Sequence, residues 1–61
     1  MSAGAELTAV STTLGELSKR VSRILAELTP AEDDRYGTDL MEVERSLGAA
    51  HRKLERLLSA R

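Results

Sequence analysis

The sequence predicts an all-α fold, an antiparallel helical hairpin with a heptad seam that dimerises into a four-helix bundle. Three features point to it. Leu7, Val10, Leu14, Leu17, Val21, Ile24 and Leu28 recur at alternating intervals of three and four residues. Tyr36, Leu40, Val43, Leu47, Ala50, Leu54 and Leu57 do the same without a gap. Such a repeat marks helices that bury a narrow apolar seam. The third feature is size. A chain of 61 residues without cysteine is one domain, too small to bury much of its surface and with no disulfide to compensate. A single histidine is too few for a structural zinc site. By elimination, the missing core is expected from a second chain.

The first helix is expected over about residues 5–28. It ends where Thr29 precedes Pro30, because a residue before proline avoids the α region. Thr29-Pro30-Ala31-Glu32 also reads as a helix start, with Thr29 as N-cap, proline in the first position and Glu32 closing a capping box. Residues 29–37 form the connection, either as a capped loop or as the first turns of one long helix that Gly37 weakens. The main second helix is expected over about residues 38–60. In an antiparallel pair, Leu7 then lies beside Leu57, Leu17 beside Leu47, Val21 beside Val43 and Leu28 beside Tyr36. Each helix would be about 36 Å long at 1.5 Å per residue.

Next to that seam the first helix carries a second stripe: Gly4, Thr8, Ser11, Gly15, Ser18, Ser22, Leu25 and Thr29. None is charged, and all but Leu25 are small. Four Ser or Thr residues and one Gly inside the helix cost roughly 3 kcal/mol relative to Ala. Small residues let another backbone approach closely. Thr8, Ser11, Gly15, Ser18, Ser22 and Leu25 are therefore the expected surface of self-association. Gly15 is expected at the level of Ala49, beside Gly48 and Ala50, so both helices are slim at their midpoints and a two-fold axis is expected there.

The remaining polar residues read as structure. His51 flanks the seam with Glu55 one turn on, an ordinary helical pairing. Tyr36, the one aromatic, is expected to close the last core layer. Glu32, Asp33 and Asp34 make an acidic tip that lacks a calcium-loop pattern and suits a helix N-terminus. No nucleophile with a base, phosphate loop or paired carboxylates is visible, so the expectation is a non-enzyme without cofactor or metal.

Nine basic and ten acidic residues leave a net charge of −1, which argues against a general nucleic-acid binder. The alternative, a bundle that binds RNA or DNA phosphates, would rest on Arg20, Arg23, Arg52 and Arg56. Acids lead and bases trail along the second helix, from Asp39, Glu42 and Glu44 to Arg52, Lys53, Arg56 and Arg61, as the helix dipole favours. No apolar run approaches the ~18 residues of a membrane span. The N-terminal Met-Ser-Ala-Gly-Ala-Glu lacks a basic segment followed by an apolar one, so a cytoplasmic location is the expectation.

In length and layout the chain resembles the ROP-type helical hairpin. That resemblance implies two copies in an antiparallel four-helix bundle and paired RNA loops as a ligand class. It rests on no shared motif and carries over no residue. The reading from the residues is a non-enzymatic protein–protein interaction module, a small homodimeric adaptor or regulator with an unidentified protein partner. A second alternative is an obligate small subunit of a larger complex.

Overall fold

A computed structural model describes residues 2–60. Helix α1 spans Ala3–Ala26. Its last turn tightens where the Glu27 N–H donates to the Ile24 carbonyl at 3.1 Å. The chain turns over Leu28 and Thr29, and α2 begins at once, Pro30–Glu32. A π turn, Asp33–Gly37, follows and runs on into α3, Thr38–Ser59. The chain is thus helical from Pro30 to Ser59, so the connection is shorter than the 29–37 segment. The molecule is all-helical, and its two long helices pack against each other as a hairpin.

The turn is built by the capping box read from the sequence. The Glu32 N–H donates to Thr29 Oγ1 at 3.2 Å, and the Thr29 N–H donates to Glu32 Oε1 at 3.0 Å. Two donors at the helix start are satisfied reciprocally, and proline fills a first-turn position that has no N–H to satisfy. Five residues later Gly37 is buried. A Cβ there would collide with the Asp33 carboxylate, so the wide turn closes against a residue without a side chain.

The seam differs from the expected one. Along α1 the shielded positions are Gly4, Leu7, Ser11, Leu14, Ser18, Val21 and Leu25, with Gly15 beside Leu14, and Leu28 continues the series into the turn. Along α3 they are Leu40, Glu44, Leu47, His51, Leu54 and Leu58, with Gly48 beside Leu47. The intervals are still three and four. Each helix keeps one of its two heptad series, with Val21 as the third member on α1, and pairs it with the neighbouring stripe on the opposite side. Val10, Leu17 and Ile24 on α1 are left exposed, as are Val43 and Leu57 on α3 and Tyr36 in the π turn. Tyr36 therefore does not close the last layer.

The physical reason is side-chain size. Two lone helices share only a narrow line of contact, and small residues allow the closest approach along it. Ser11, Gly15 and Ser18 bring α1 against α3, with the Gly15 backbone facing the His51 ring rather than Ala49. The result is a rod measuring 46 × 16 × 13 Å, with a radius of gyration of 14.3 Å. A compact chain of this length would have about 10.5 Å. Among the described residues no hydrophobic side chain is buried. No described helix is long and apolar enough to cross a membrane.

Candidate functional site

The seam divides the hairpin into two flanks of opposite chemistry. Val10, Leu17 and Ile24 stand at seven-residue intervals on α1, one step to one side of the Leu7, Leu14 and Val21 series. Val43, Ala50 and Leu57 stand in the equivalent place on α3, beside Leu40, Leu47 and Leu54. Two right-handed helices that face each other antiparallel turn equivalent flanking positions to the same side. The aliphatic residues therefore form one continuous face along the rod, and Tyr36 extends it to the tip. The large ones are exposed by 38% at Leu17 to 57% at Leu57. Near the chain ends this face holds a shallow groove of about 310 Å³ lined by Ala50, Lys53, Leu54 and Leu57.

Across the seam, the other flank is polar and internally satisfied. Ser11 is 3% exposed, and its hydroxyl donates to Glu55 Oε2 at 3.1 Å. That bond matters, since a buried hydroxyl without a partner is costly. The Ser22 hydroxyl donates to Glu44. His51 Nε2 lies 3.9 Å from Glu55 Oε1, the pairing expected from their spacing. Ser18, Met41, Glu44, Arg45, Gly48 and Arg52 line an open groove of about 340 Å³ on this side.

The six residues expected to mediate self-association thus occupy the contact within the chain or its polar margin. Ser11, Ser18 and Leu25 face α3, and Gly15 meets His51. Ser22 is exposed but reaches across to Glu44. Thr8 is exposed, and its hydroxyl bonds back to the Gly4 carbonyl at 2.8 Å. The site that sequence reasoning missed is the aliphatic flank. Its residues were visible, but as members of the seam.

The four arginines of the alternative reading are not gathered into one patch. Arg20 and Arg23 share a groove of about 550 Å³ on the outside of α1 with Thr13, Glu16, Leu17 and Lys19. Arg52 lies in the polar groove over Gly48, on the other helix. Arg56 is exposed on α3, and Arg61 lies outside the described residues. At the tip, Glu32, Asp33 and Asp34 are exposed, and the Arg35 guanidinium sits 6.0 Å from the Tyr36 ring centroid. Among the described residues no three metal-ligating side chains converge.

A comparison with protein-family models finds no match. Comparisons with curated proteins and with solved structures find none either.

Proposed function

We propose that this chain is a non-enzymatic protein–protein interaction module that works as a homodimeric adaptor or regulator, with the aliphatic flank as its contact surface. One observation carries this reading: all the large exposed apolar side chains except Met41 line one face, and none of the described residues covers it. Fixing each backbone residue costs about 1–2 kcal/mol in conformational entropy. A rod with no buried hydrophobic side chain among its described residues has little to set against that cost. A contiguous apolar face of this kind marks an interaction site. Covering it would complete both the core and the fold. The outer faces of both helices would stay free for a further protein.

The test is mass in solution. Sedimentation equilibrium at micromolar concentration is expected to return about twice the 6.6 kDa of one chain, with helix content falling as dilution separates the copies. A monomer that stays folded on dilution would overturn the reading.

A further inference from the structure

We propose that a second copy docks on the aliphatic flank head to tail, so that the tip of each hairpin lies beside the chain ends of the other. This rests on the homodimeric reading above and adds the geometry. The face has the right size for a copy of itself. The whole side of the rod that carries it measures 46 × 16 Å, an upper limit of roughly 700 Å² and close to the ~800 Å² per partner of a stable interface. A self-complementary contact is also what a two-fold dimer requires.

Two arrangements bring such faces together, tips at the same end or tips at opposite ends. Both bury the same aliphatic residues, so the charges along the rim decide between them. The half of the rod nearer the tip, residues 20–46, carries Glu27, Glu32, Asp33, Asp34, Asp39, Glu42 and Glu44 against Arg20, Arg23, Arg35 and Arg45. The half nearer the termini carries Lys19, Arg52, Lys53 and Arg56 against Glu6, Glu16 and Glu55 among the described residues. With tips together, α1 of one copy runs beside α3 of the other at equal height. Glu27 then faces the second copy's Asp39, twice over, and the two acidic tips lie within about a Debye length of each other. Head to tail, α3 runs beside the second copy's α3. Asp39 and Lys53 sit symmetrically about Ser46, so Lys53 of each copy meets Asp39 of the other. The pairings of Ser11 with Glu55 and Ser22 with Glu44 put Arg20 of α1 at the level of Ser46, so this axis also sets the two copies of Arg20 side by side, one like-charge contact against two attractive pairs. Small Ser46 and Ala50 occupy the crossing point, where close approach costs least.

The absence of cysteine makes the test direct. A spin label on Ala31→Cys, an exposed tip position, reports the distance between tips in the dimer. Head to tail, the labels stand apart by roughly the 46 Å length of the rod. Tips together, helix spacing of about 8–10 Å plus two label arms leaves them at roughly 20 Å. A second measurement uses charge reversal. Lys53→Glu is expected to weaken association by roughly two- to tenfold in low salt, and Asp39→Lys in the same chain to restore it. With tips together, Lys53→Glu would change nothing and Asp39→Lys alone would tighten the dimer. A dimer with the short distance overturns the orientation and leaves the homodimeric reading standing. A monomeric wild-type chain overturns both.

Discussion

The two flanks of the seam use the same period and opposite materials. On one side Ser11, Gly15, Ser18 and Ser22 meet His51, Glu44 and Glu55, and the hydroxyls of Ser11 and Ser22 find acceptors on α3. On the other side Val10, Leu17, Ile24, Val43 and Leu57 stay about half exposed within the chain. The small flank is finished in the single hairpin, and the aliphatic flank is not. On the proposed function, the contrast separates two jobs that one heptad pattern can conceal: holding two helices of a chain together, and offering a surface to another chain.

Substitutions that place one carboxylate on each flank probe this contrast most strongly. Leu17→Asp is expected to abolish association and cost a few kcal/mol, the penalty for an unpaired charge in an apolar contact. Met41→Asp, on the polar flank and one turn before Arg45, is expected to stay within about 0.5 kcal/mol of the parent. Thermal melts at several concentrations would show both, and equal behaviour would erase the distinction between the flanks. Next in size is Ser18→Glu, which forces a long charged side chain into the contact with α3. A loss of about 1–3 kcal/mol is expected from overpacking, whereas Lys19→Glu on the outer face should be nearly silent in the same denaturation series.

The glycines sharpen the comparison further. A Cβ at Gly48 would meet only the guanidinium of Arg52 at 3.3 Å, the free end of a flexible side chain. Gly48→Ala should therefore collect most of the ~1 kcal/mol that alanine gains over glycine in a helix. At Gly15 the Cβ would lie 3.2 Å from His51 Nε2, and the ring has to shift. Gly15→Ala should gain less than Gly48→Ala, and the reverse order in urea midpoints would show that the seam is loose there. The smallest expected effect is on nucleic acid. Because Arg20 and Arg23 lie apart from Arg52 and Arg56, binding tighter than ~10⁻⁴ M at physiological salt is not expected in a titration with structured RNA or duplex DNA. A micromolar, salt-sensitive complex that Arg52→Gln with Arg56→Gln weakens would favour the alternative function.

Two helices, their antiparallel packing and the Thr29–Glu32 box were legible in the sequence, because period and capping chemistry are local properties. The seam was legible only as a choice between stripes. Leu7, Leu14 and Val21 have an aliphatic neighbour series on one side and a small-residue series on the other, both at heptad spacing. Hydropathy favours the aliphatic pairing of Leu17 with Leu47. Close approach of two lone helices favours Ser18 and Gly15, and that preference depends on how many helices share the core. The uncharged stripe was itself the signal of a close contact, and the helix it touches belongs to the same chain. For the π turn the sequence offers only Gly37.

That wide turn has a consequence for how the chain tolerates changes of length. A π turn holds one residue more than an α turn, so Asp33–Gly37 is the place where a residue can be removed without rotating α3 about its axis. Deleting Asp34 would draw the turn into ordinary α geometry and leave Leu40, Leu47 and Leu54 facing α1. Deleting Ala49, within α3, would rotate every later position by about 100° and present the wrong stripe to the seam. The tip of the hairpin is thus its tolerant point for a one-residue deletion, and the long helices are not.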